Sequence, residues 1–193
     1  ITMSKVKIVQ VGVFEQRYDI RQRILNCFHA AINTHRKVFV VRLDIRFPQG
    51  LVCDRHNALI SEFMRRLKSH FGYHRTYCEY VWAREQGRSK SPHYHLLLLL
   101  NGSLLESGWG VREIAARTWS KLLKGDYGKC IHMCPPFIGA TGMMIRRPSE
   151  NADGGQLLAE IDAFEAAYSA AFNWACYLAK TYTKGNLLLI HIF

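Results

Sequence analysis

Apolar residues recur along this chain with two periods, and the switches between them mark its elements. Over residues 16–34, QRYDIRQRILNCFHAAINT, Ile20, Ile24, Leu25 and Phe28 fall on one face of a 3.6-residue helix. KVFVVRLDIRFP, 37–48, alternates instead. Phe39, Val41, Leu43, Ile45 and Phe47 point one way, Arg42, Asp44 and Arg46 the other, and Pro48 ends the strand. Asp54 stands where a side chain would cap a helix over about 55–71, with Leu59, Ile60, Phe63 and Leu67 inward and Arg65, Arg66 and Lys68 outward.

TYCEYVWARE, 76–85, and HYHLLLLLN, 93–101, read as strands joined by the basic loop QGRSKSP, which makes them an antiparallel hairpin. In the second strand Leu97 and Leu99 continue the face of His93 and His95, while Tyr94, Leu96, Leu98 and Leu100 fill the other. A strand apolar on both faces is central and covered on both sides. VREIAARTWSKLL, 111–123, has helical spacing, and CIHMCPPFIG gives a short strand stopped by prolines. RRPSENADGG, 146–155, is a flexible excursion, and a long helix follows over about 156–183. LLLIHIF reads as a last strand or as the start of a segment that continues. The expected fold is α+β: a central antiparallel sheet of about five strands flanked by helices, in one domain over residues 1–193. The N-terminus, ITMSKVKIVQ, lacks the shape of a signal peptide and reads as the cut edge of a longer protein.

Charge narrows the partner. Among 193 residues, 26 Lys plus Arg stand against 15 Asp plus Glu, a formal charge of +11. That surplus points to a polyanion, nucleic acid before anionic membrane. No apolar run approaches the roughly 18 residues of a membrane span. Six cysteines, at 27, 53, 78, 130, 134 and 176, form no C-x-x-C pair and suit a reducing cytoplasm. CIHMC offers Cys130, His132 and Cys134 as a metal clip, or simply as alternating side chains of a buried strand.

The chemistry gathers in two places. His93 and His95 project together at a strand start, and two imidazoles there need partners; one solution is a shared cation. If the hairpin closes through QGRSKSP, Glu85 falls opposite His93 on the same face. Two imidazoles and a carboxylate leave coordination positions open and suit Mn²⁺ or Mg²⁺ better than a closed zinc site. The second place is NWACYLAKTYTK, 173–184. On a helix Tyr177, Lys180 and Lys184 share a face, away from an apolar stripe of Ile161, Phe164, Tyr168, Phe172 and Ala175 that Tyr182 joins. Taken alone, each set has a plainer reading: histidines hydrogen-bonded to water, and an amphipathic surface tyrosine.

H-x-H at a strand start, an acid eight positions earlier and a downstream Y-x-x-K together resemble the HUH endonucleases, the initiators of rolling-circle replication. The wording RLDIRFP, WAREQ…HYHLLLLLN and YLAKTYTK is most similar to the initiators of filamentous phages and prophages, the YagK/YfjJ-type domain; the likeness spans about 38–184. It implies an RRM-like sheet that nicks and rejoins single-stranded DNA at a replication origin, with host helicase and polymerase as further partners and no membrane. Tyr177 would be the nucleophile, forming a 5′-phosphotyrosine, and Lys180 its charge partner. Glu85, His93 and His95 would hold the metal. Among the basic residues, Arg42, Arg46, Arg84, Arg88, Lys90 and Lys184 are the candidate DNA contacts; Arg42 and Arg46 equally suit ion pairing with Asp44, and Arg84, Arg88 and Lys90 suit plain solvation. Thr181 occupies the position of a second tyrosine, which favours a single-tyrosine enzyme. Tyr80, Trp82 and Tyr94 read as core before they read as base-stacking residues. The rival readings are a non-catalytic RRM-like module that binds single-stranded nucleic acid, a transposase or relaxase of the same chemistry, and a decayed copy that folds but no longer nicks.

Overall fold

The computed structural model describes residues 8–11, 14–48, 50, 57–85 and 93–180. Its centre is an open antiparallel sheet of five strands. These are β3 (Lys37–Ile45), β4 (Cys78–Glu85), β5 (His93–Asn101), β6 (Ile131–Met133) and β7 (Met143–Arg146). The order is β4-β5-β3, with β6 and β7 sharing the far edge of β3: β7 takes Lys37–Val40 and β6 takes Leu43–Ile45. A separate hairpin, β1 (Ile8–Val11) and β2 (Phe14–Arg17), precedes helix α1 (Tyr18–Thr34).

The double-sided apolar pattern of β5 has the outcome its sequence requires. Leu96, Leu98 and Leu100 pack with Phe63, Leu67 and Trp119 from α2 (Ala58–Tyr73) and α3 (Gly108–Leu123). Leu97 and Leu99 pack with Ile20, Ile24 and Phe28 of α1 and with Ala171, Phe172 and Ala175 near the end of α4 (Gly154–Ala175). The sheet thus lies between two helical layers. Trp119 is sealed edge-to-face against Phe47 and Phe63, at 5.2 and 5.3 Å between ring centres. Tyr94 and Trp82 are buried in this same layer, so the core reading of both is the correct one, and Tyr80 packs partly buried at its margin.

Several boundaries differ from the sequence reading. Helix α3 begins at Gly108, three residues early, because the Ser107 hydroxyl accepts from the Gly110 N–H and caps it. Helix α2 begins at Ala58 after Asn57 in the left-handed region (φ 56°); the expected cap, Asp54, lies outside the described residues. Strand β7 was not expected. Gly142 lets it approach β3, since a Cβ there would lie 2.6 Å from the Phe39 ring and 2.7 Å from the Val40 carbonyl oxygen. The long helix stops at Ala175 and tightens into a 3₁₀ turn, Cys176–Ala179, instead of running on to 183. Tyr182, Lys184 and the tail LLLIHIF lie outside the described residues. Among the described residues, no helix is long and apolar enough to cross a membrane.

Candidate metal centre and the tyrosine beside it

The β4–β5 register pairs Glu85 directly with His93 and Ala83 with His95. Opposed residues share a face and alternate residues repeat it, so the carboxylate and both imidazoles project together. His93 Nε2 lies 3.2 Å from the Glu85 carboxylate, and His95 Nε2 touches the same oxygen. One ligand atom from each of the three falls within 4.8 Å of the others, and among the described residues no other set does so. Cys130, His132 and Cys134 do not converge: Cys130 packs into the α2–α3 layer, and Cys134 turns toward Asp44.

The third side of the site comes from β3. Asp44 is the ladder partner of His95, and its Oδ1 lies 2.5 Å from His95 Nδ1. Both ring nitrogens of His95 therefore face carboxylates. A neutral imidazole carries one N–H and can donate to only one of them. When that N–H is donated to Asp44, Nε2 turns a lone pair toward the Glu85 oxygen. Two acceptors in contact repel unless a cation lies between them or the ring is protonated. The donor set therefore fits a divalent cation on Nε2, the Glu85 carboxylate and His93, with Asp44 fixing the tautomer from behind. Burial alone would raise the Asp44 carboxyl, but His95, the Cys134 thiol and Arg42 outweigh it and hold the group below its ordinary value. Burial first, and then the neighbouring His95, push His93 below its ordinary value, which keeps its lone pair free for a ligand.

Tyr177 sits over this corner on the 3₁₀ turn that ends α4. It is 48% exposed, and its ring stands perpendicular to that of His95 at 6.1 Å. Lys180 Nζ lies 5.4 Å from the same ring, as expected, but it arrives by the tighter turn, in which Lys180 N–H donates to the Tyr177 carbonyl. Tyr177 and Lys180 are thereby brought together with Glu85, His93 and His95.

The arginines divide. Arg46 is exposed beside His93 and His132. Arg84 belongs to the opposite face of the sheet, where it donates to Asn57 Oδ1 at 3.2 Å. Arg88, Lys90 and Lys184 lie outside the described residues. Arg42 is placed differently from Arg46. It is 6% exposed and does not lie on open surface, because the turn after α4 covers its strand face. Its guanidinium lies 4.7 Å from the Tyr177 ring centre and 5.3 Å from that of Trp174, and it donates to the Trp174 carbonyl at 3.1 Å. Arg42 is the cationic floor on which Tyr177 rests.

Sequence reasoning missed two roles, that of Asp44 at His95 and that of Arg42 beneath Tyr177. The available signal was charge on a strand whose flanking residues are uniformly apolar, the mark of a polar group buried with a partner. Which partner depends on the β3–β5 register and on the path of the chain beyond Ala175, neither of which local pattern encodes. Comparison with curated proteins and with solved structures returns no match. The model of one family, the YagK/YfjJ C-terminal domain, runs along residues 2–187. On that match, which takes in every residue of the centre from Asp44 to Lys180, the chain belongs to the YagK/YfjJ C-terminal domain family.

Proposed function

We propose that this domain nicks and rejoins single-stranded DNA through a covalent bond to Tyr177, in the manner of an HUH replication initiator. The observation that carries the reading is the approach of an exposed tyrosine to a convergent Glu85–His93–His95 set, with cationic groups on two sides of its ring. Tyr177 Oη attacks the scissile phosphorus and the phenolic proton passes to solvent. The bond to the 3′ oxygen breaks, that oxygen leaves as a 3′-hydroxyl, and the 5′ phosphate remains on Tyr177. Attack by a 3′-hydroxyl reverses the step and reseals the strand. Lys180 and Arg42 stabilise the negative charge that gathers on the phenolic oxygen and the phosphoryl group. Glu85, His93 and His95 would hold a Mn²⁺ or Mg²⁺, which would supply the charge that draws in and polarises the phosphate oxygens. Asp44 holds His95 in the tautomer this requires.

The test is incubation of the protein with a library of single-stranded origin sequences and Mn²⁺, followed by denaturing electrophoresis. A protein–DNA adduct is expected, and it disappears in Tyr177→Phe while the variant's circular dichroism stays unchanged. An adduct that persists in Tyr177→Phe sinks the assignment of the nucleophile. Tight binding with no cleavage under any divalent ion leaves the module a binder of single strands.

A further inference from the structure

The end of the sheet remote from Tyr177 concentrates positive charge that the metal centre does not use. Lys37 and Arg146 are opposed partners in the β3–β7 ladder, and one step further the Arg147 N–H donates to the Arg36 carbonyl at 2.8 Å. Four cationic side chains thus crowd two neighbouring rungs. Directly opposed like charges destabilise a ladder unless something neutralises them. The nearby acids do so incompletely. Glu106 approaches Lys37 only to 4.0 Å. Glu160 lines the same cleft and is stabilised by Arg36 and Arg146, but its oxygens already accept from the Ser149 N–H at 2.6 Å and the Gln156 amide at 3.0 Å, so one carboxylate faces four cations. Arg147 Nε is buried and, among the described residues, has no hydrogen-bond partner. A cleft of about 280 Å³ opens beside Arg146 and Arg147, between β7 and α4. At the same end Tyr77, 56% exposed, stacks on His35 at 5.8 Å between ring centres and leaves its other side to solvent.

We propose that Arg36, Lys37, Arg146 and Arg147 form a second contact for nucleic acid, gripping the phosphodiester backbone of the DNA whose scissile bond lies at Tyr177. The inference rests on the nicking reading for what occupies the other end. Guanidinium forks match phosphate oxygens. The open Tyr77 ring beside the cations is a stacking surface that a base uses and a lipid headgroup does not. The spacing follows from the strand: Lys37 lies seven residues from Asp44, about 23 Å along β3 at about 3.3 Å per residue and on the other face, so the DNA passes over the β6–β7 edge between them. At about 3.4 Å per base step, DNA reaches from the metal centre to this patch once it extends about seven base pairs beyond the nick.

Binding is measured without divalent ion, by fluorescence anisotropy, on labelled oligonucleotides with a single-stranded tract and a duplex arm shorter or longer than about seven base pairs. The protein should bind the longer arm more tightly. Arg36→Gln/Arg146→Gln should abolish that gain, weaken long-arm binding about tenfold at low salt, and reduce the salt slope by about two. Arg65→Gln/Lys121→Gln removes the same charge elsewhere and should keep the gain. The idea is overturned by equal losses in the two double variants, by affinity indifferent to arm length, or by a patch variant that loses only phosphatidylserine vesicles. Because cleavage is not read, a missing Tyr177 adduct bears on the nicking reading alone. A missing arm effect beside a normal adduct bears on this patch alone.

Discussion

Asp44 is a carboxylate that a strand places behind a histidine, and its effect on the site is measurable apart from any activity. Its Oδ1 meets His95 Nδ1, and if it takes the ring N–H there, Nε2 is left free for a cation. Outer partners of this kind typically carry 10–100-fold in metal affinity. Asp44→Asn should therefore weaken Mn²⁺ binding about 10–100-fold in titration calorimetry, with the fold retained; unchanged affinity would mean the contact does not orient the ring. Arg42 makes a sharper case, because its burial separates two roles that both follow from its charge. As the floor of Tyr177, a desolvated cation against an aromatic ring contributes about 2 kcal/mol. Arg42→Met should slow adduct formation on the order of tenfold and leave DNA affinity and its salt slope unchanged. A variant that loses affinity and slope while keeping its rate would return Arg42 to the role of a phosphate contact.

At the scale of elements, most of what the residue pattern announced is present: α1, α2, β3, the β4–β5 hairpin and α3 lie within a few residues of the expected bounds. Long amphipathic or doubly apolar segments declare themselves because burial dictates their composition. The pattern was silent where an element is short or its shape depends on neighbours. Strand β7 has four residues and is held by β3, with Gly142 permitting the approach. The end of α4 at Ala175 reflects packing of Cys176, Leu178 and Ala179 into the α1 layer, to which helical propensity is blind. The candidate site was legible where it lies on one hairpin, since register fixes Glu85 against His93, and illegible where β3 supplies a partner from across the sheet. Helix α3 offers the test of packing. Trp119 is fully buried, yet its Nε1 has no hydrogen-bond partner among the described residues. Trp119→Ala should cost about 3–5 kcal/mol in urea unfolding. Trp119→Phe should cost much less, because it removes the unsatisfied N–H along with volume. Equal costs would mean that the indole nitrogen is satisfied.

For the whole molecule, a cation held by Glu85, His93 and His95 would couple binding to stability. Glu85 and His95 are in contact, and His95 joins β4, β5 and β3 at one corner, so a cation at this candidate site would bind the folded chain and not the unfolded one. A ligand at a hundred times its dissociation constant adds about 2.7 kcal/mol. For a chain of this size that raises Tm by about 5–10 °C. Differential scanning calorimetry should show this rise with Mn²⁺, its reversal by a chelator, and its absence in His93→Ala/His95→Ala. A rise that survives the double substitution would locate the stabilising ion elsewhere.

The split of the centre between an early hairpin and a late turn has a consequence for synthesis. Asp44, Glu85, His93 and His95 are all in the chain by residue 95, and Tyr177 follows about 80 residues later. At about 5–20 residues per second, the ribosome takes several seconds to make that interval. During it, β3, β4 and β5 can pair and take up a cation while the phenol does not yet exist. If Tyr177 is the nucleophile proposed above, that chemistry waits until the described sheet and its helices have been made. On the proposed reading, a product truncated before Tyr177 would keep Glu85, His93 and His95 together and lack the nucleophile.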